Sequence, residues 1–91
     1  MGGGFRWNDW NLEHATKHGC TVPEIEAVVR REVRNRRMKS MDGDKHYVEG
    51  RGIGDRMIAV IFIFDRVKQA EEETIYVIHA MPLTTQRRRG R

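Results

Sequence analysis

Residues 57–64 read MIAVIFIF, and no other stretch of the chain restricts the fold as much. Eight apolar residues bounded by Arg56 and Asp65 suit a strand and fall far short of the roughly 20 that cross a bilayer. β-Branched and aromatic side chains dominate the run, which favours a pleated, buried surface over a helix. Alternation gives it two faces, with Met57, Ala59, Ile61 and Ile63 on one and Ile58, Val60, Phe62 and Phe64 on the other. A strand that is apolar on both sides belongs inside a sheet, and both sides of that sheet need cover.

The flanks supply the rest of the sheet. KHYVEGR (45–51) alternates as a strand, GIGD (52–55) turns the chain, and the second strand covers RMIAVIFIFD (56–65). A polar turn through KQAEEE (68–73) leads to a third strand, TIYVIHAM (74–81), which Pro82 stops. Connections this short imply antiparallel hairpins. The opening FRW (5–7) can add a short edge strand. GRGIG (50–54) lacks the helix that follows a phosphate cradle, so a hairpin turn is expected there.

Before residue 40 the period is helical. Asn8 or Asp9 caps a first helix that runs to His18, and Gly19 suits the left-handed position beyond it. TVPE (21–24) has the form of a capping box with proline where its missing N–H does no harm, so a second helix starts at Val22. Its inner face is Ile25, Val28, Val29 and Glu32/Val33, with Glu24, Arg30, Arg31 and Arg34 outward. SMDGD (40–44) ends it. The expected fold is α+β: one domain over 1–91, with two N-terminal helices packed on one face of a small antiparallel sheet. Thr84 or Thr85 can cap a short C-terminal helix, residues 1–4 are expected to lack structure, and 87–91 form a basic tail.

Two helices cover one face only. The second face is covered either by the C-terminal helix or the loops, or by a partner, another copy in a homodimer or a different protein. A lone cysteine, Cys20, excludes an internal disulfide and fits a reducing, cytoplasmic setting. Nothing reads as a signal peptide or a membrane span.

Lysine and arginine outnumber aspartate and glutamate 17 to 13. Arg30, Arg31, Arg34, Arg36, Arg37 and Lys39 crowd into ten positions, and Arg87, Arg88, Arg89 and Arg91 into the last five. Such clusters attract polyanions by counterion release, or form a solvated helix face and tail.

NLEHATKHG (11–19) carries the chemistry. At about 100° per residue, Asn11, His14 and His18 share roughly one sixth of a turn, with Lys17 beside them and Leu12 and Ala15 toward the core. Two histidines four apart resemble a zinc-protease helix, but the glutamate such helices carry after the first histidine is here Ala15, and no second ligand pair completes a site. No metal and no cofactor are expected. The stripe is then either a polar face whose His18 and Lys17 favour the helix C-terminus, or an acid–base site for an anionic substrate. Arg51, Arg56 and His79 are available to such a site.

FRWNDWNLEHATKHGCTVPEIEAVV, YVEGRGIGDRMIAVIFIF and IYVIHAMPLTTQRRR, taken in order, resemble the BrnT-type toxins of bacterial toxin–antitoxin modules. The resemblance spans residues 5 to 89. It implies a RelE-like fold, metal-independent RNA cleavage, and a neutralising ribbon-helix-helix antitoxin through which alone operator DNA is bound. The matching positions are Asn11, His14, Lys17, His18, Gly19, Gly50, Arg51, Arg56, Ala80, Pro82, Thr84 and Arg88. Met81 stands where that family carries arginine.

The resulting expectation is an endoribonuclease that drives the ribose 2′-OH onto the adjacent phosphorus. His14, Lys17, His18, Arg51 and Arg56 are the expected catalytic residues, and Asn11, Lys45, His79, Arg87 and Arg88 the expected RNA-binding residues. The rival readings are a catalytically inactive module that binds its antitoxin, and a basic nucleic-acid-binding domain using residues 30–39 and the tail.

Overall fold

The computed structural model describes residues 4–67 and 72–83. Two helices, α1 (Asp9–Thr16) and α2 (Val22–Arg34), precede four strands: β1 (Lys39–Ser40), β2 (Lys45–Arg51), β3 (Met57–Val67) and β4 (Glu72–Pro82). The strands lie in the order β1-β2-β3-β4, each antiparallel to its neighbour. This is the α+β meander that the sequence predicts. Two-residue β1 was not expected, and the two long strands run further than their apolar cores. Phe5 makes a parallel bridge to Ile75, so the FRW segment does line the outer edge of β4. Among the described residues no helix is long and apolar enough to cross a membrane.

Both helices start on capping boxes. Thr21 accepts from the Glu24 amide and Glu24 returns a bond to the Thr21 amide. Asn8 and Asn11 do the same for α1, with asparagine in the place usually held by glutamate or glutamine. Gly19 then takes φ +98°, the left-handed geometry that glycine reaches without strain.

The core joins Ala15 of α1 and Ile25, Val28 and Val29 of α2 to Val48, Ile58, Val60, Phe62, Val77 and Ala80 of the sheet, all fully buried or nearly so. From β3 the core takes Ile58, Val60 and Phe62 and leaves out Met57, Ile61 and Ile63, which are only half-buried. One side of the sheet is thus packed and the other is left with partly open aliphatic surface.

β4 contains one irregularity. Ile61 opposes His79 and Phe62 opposes Val77, so Ile78 is an extra residue. A bulge shifts the phase of a strand. Val77 and Ala80, three positions apart, both reach the core as a result.

Two expectations about orientation and one about a helix boundary need correction. Leu12, expected in the core, is 41% exposed. α1 is seated through Asn11 and Ala15, both with no exposed surface, and Leu12 lies on the far side of Ala15 from Asn11 around the helix. Glu24, expected outside, is 3% exposed because an arginine of the hairpin holds it against the sheet. The first helix ends at Thr16, with residues 17 and 18 in a turn. The expected C-terminal helix and the basic tail at 87–91 lie outside the described residues.

Candidate active site

Trp10, His14 and Lys17 follow one another along α1, and His18 closes the turn beyond it. His14 Nδ1 lies 2.7 Å from the Trp10 carbonyl oxygen. A carbonyl can only accept, so Nδ1 holds the proton and Nε2 is the free position of this ring. The imidazole also stacks on the Trp10 indole, with centroids 3.8 Å apart and an interplanar angle of 18°.

His18 meets His79 of β4 edge to face, with ring centroids 5.2 Å apart. Burial and then the neighbouring His18, Lys17 and His14 hold the His79 proton affinity below the ordinary imidazole value. Four groups that sequence spacing could only place on one helix face and one distant strand therefore share a local field. The bulge matters here: in an uninterrupted strand His79 would share the face of Val77, which is fully buried.

Asn11, expected to bind RNA, does not belong to this site. It has no exposed surface, accepts from the Asn8 amide at 2.6 Å, and donates Nδ2 to the Arg6 carbonyl at 3.1 Å. It ties the edge segment to the start of α1. Its position near the histidines on a helical wheel is real, but that direction faces β4 and not solvent.

Arg56 touches the turn beside the site. Its Nη2 donates to the Gly19 carbonyl at 2.8 Å and to Glu24 Oε1 at 3.0 Å, and its Nε donates to Glu24 Oε2 at 2.9 Å. The Arg56 hydrogen bond holds the Glu24 carboxyl below its usual range, against the opposing effect of burial. With Nε and Nη2 committed, Arg56 fixes the residue that follows His18. Arg51 lies elsewhere. It pairs in register with Met57, is 60% exposed at its side chain, and reaches Asp55 at 3.4 Å. Among the described residues no contact joins it to the imidazoles. Lys45 is exposed and pairs with Ile63, two strands away from β4. Arg87 and Arg88 lie outside the described residues.

The basic run on α2 is partly neutralised in place. Glu32 accepts from Arg31 and Arg37, each at 2.9 Å, while Arg30 lies 3.7 Å from Glu26. Arg34, Arg36 and Lys39 remain exposed. Among the described residues, no group of three or more histidine, cysteine, aspartate or glutamate side chains is arranged to hold a metal ion.

Sequence reasoning overlooked Trp10 and the pairing of Glu24 with Arg56. The i,i+4 spacing of Trp10 and His14 was the available signal for the first. No signal marked the second, since its partner is 32 positions away.

The imidazole cluster can accept one proton, donate another and hold an anion, all on one surface. No protein family, curated protein or solved structure matches the chain.

Proposed function

We propose that the chain is a small metal-independent endoribonuclease acting as the toxin of a toxin–antitoxin pair. The observation that carries this reading is the His18–His79 contact, two imidazoles 5.2 Å apart beside the exposed Lys17. Two imidazoles with different surroundings can divide acid and base roles. His79, which resists protonation, accepts the proton of a ribose 2′-OH. The freed O2′ attacks the adjacent phosphorus, and the Lys17 ammonium offsets charge on the phosphorane oxygens. The protonated form of His18 gives its proton to the departing O5′. The P–O5′ bond breaks, leaving a 2′,3′-cyclic phosphate and a 5′-hydroxyl. His14 adds a third imidazole with Nε2 open to the substrate, and Arg56 acts indirectly by bracing the turn.

Alanine at His14, Lys17, His18 and His79, one at a time, tests the reading in cleavage assays run with chelator. Loss of on the order of 10²–10⁴ in rate is expected for the acid and the base. Undiminished cleavage in all four variants would sink the proposal.

The half-buried aliphatic side of β3 favours a second reading, an inactive module whose task is to bind its ribbon-helix-helix antitoxin. That face is also where an antitoxin would dock on an active toxin. Cleavage that persists in chelator and stops when antitoxin is added supports the enzyme over the scaffold. A plain nucleic-acid-binding domain ranks lower, because Arg30, Arg31 and Arg37 already face carboxylates.

A further inference from the structure

The reaction above makes no use of Trp10. This side chain keeps 49% of its surface exposed although the His14 ring already covers one face of its indole. The other tryptophan behaves differently. Trp7 is half-buried, packs against the core, and donates its indole N–H to Glu26 at 2.8 Å. Trp7 is explained by packing and Trp10 is not.

Single exposed apolar residues are common and need no account by themselves. The placement of Trp10 is what sets it apart. Around the helix, His14 lies about 40° and Lys17 about 20° from it, and along the axis they follow at about 6 and about 10 Å. Lys17 retains helical dihedrals at the end of α1, and it makes no ion pair among the described residues. One line therefore runs from an open aromatic plane, through an imidazole, to a free ammonium beside His18 and His79. A nucleotide has the same order of parts: a flat base, a sugar, then a phosphate.

We infer that Trp10 is the stacking platform for the nucleobase next to the phosphate held at Lys17 and the histidines, so that the site takes single-stranded RNA. This rests on the reading of the site as RNA-directed. Stacking needs a base whose face is free, which a duplex does not offer. Because every base has such a face, the platform selects for strandedness and not for sequence.

The test uses a 2′-O-methyl oligonucleotide, which has no attacking hydroxyl, and inorganic polyphosphate, which has no base. The oligonucleotide quenches tryptophan fluorescence saturably in the wild type and in Trp7→Phe, but not in Trp10→Phe, while polyphosphate binds without quenching. Trp10→Leu weakens oligonucleotide binding on the order of tenfold, leaves polyphosphate affinity unchanged, and raises KM for unmodified RNA more than it lowers kcat. Trp10→Phe restores most of the lost affinity. Unchanged oligonucleotide affinity in Trp10→Leu overturns the proposal, as does an equal loss for polyphosphate. A change in self-association by light scattering without a change in affinity also overturns it, making Trp10 a protein contact. If the oligonucleotide quenches as expected but unmodified RNA is not cut, the nuclease reading fails while the platform stands. Cleavage with an unaltered KM in Trp10→Leu has the opposite meaning.

Discussion

Arg56 and Glu24, 32 positions apart, meet in a bidentate pair whose bonds measure 2.9 and 3.0 Å. The arginine stands at the foot of β3 and the glutamate in the first turn of α2, so the pair pins a helix to a hairpin. Through the Gly19 carbonyl the same guanidinium also fixes the end of α1. Glycine makes room for this arrangement. A Cβ on Gly52 would stand 2.6 Å from Glu24 Cγ, whereas one on Gly54 would meet only Glu24 Oε2 at an ordinary 3.4 Å.

Gly52→Ala is therefore expected to displace Glu24 and lower the thermal midpoint by roughly 5 °C or more. Gly54→Ala changes it by about 1 °C or less. Glu24→Gln lowers it as well, and its effect concentrates above the ordinary carboxyl value of 4.5. The lowered value favours the ionised form in the folded chain, so that stability is present above the unfolded value and lost as pH falls through the folded one. Thermal melts across an acid pH series check all three. Equal melting of the two glycine variants would show that Gly52 is not a contact position.

Asn11→Ala removes a cap partner and leaves the Arg6 carbonyl without its donor. A loss of about 1–2 kcal/mol is expected in denaturant unfolding. RNA affinity per folded molecule stays at the wild-type level, because Asn11 has no exposed surface to offer. A selective loss of RNA binding with normal stability would contradict the buried placement.

His79 resists protonation first through burial and then through its cationic neighbours. The limb of kcat/KM that rises with pH should therefore be centred below 6.5, the ordinary imidazole value. The same depression makes the folded state lose stability as pH falls through that region. His79→Gln should abolish the limb and shrink the stability difference between about pH 7 and about pH 5. A limb centred above the ordinary value would remove His79 from the role of base.

On the open side of the sheet, the Tyr47 hydroxyl donates to Glu49 Oε2 at 2.6 Å. Desolvation, with help from that carboxylate, pushes the Tyr47 phenol up to about 12 from an ordinary 10.0. Alkaline titration of phenolate absorbance should show a late transition that Tyr47→Phe deletes. Glu49→Gln should return it only part of the way, since the desolvation remains. A return all the way would make the carboxylate the dominant influence.

Local sequence determined most of the skeleton. The capping boxes at Asn8 and Thr21, the glycine after α1, the apolar spacing of α2 and the hairpin at 52–55 are each set by neighbours within a few positions, where intrinsic preference and periodicity act. Sequence also put Trp10 and His14 on one face of α1, because helical geometry is the same in every helix, while Lys17 and His18 follow in the turn beyond it.

Only the tertiary structure decided which way these surfaces face. Asn11 and His14 lie close together around α1, yet packing against β4 buries the first and leaves the second half-buried, with Lys17 and His18 exposed in the turn beyond. Arg56 read as a free cation until a glutamate from another element claimed it. His79 joined the helix histidines because one extra residue, Ile78, changed the phase of β4. Each of these outcomes depends on groups far apart in the chain, and neither spacing nor propensity carries information about such meetings.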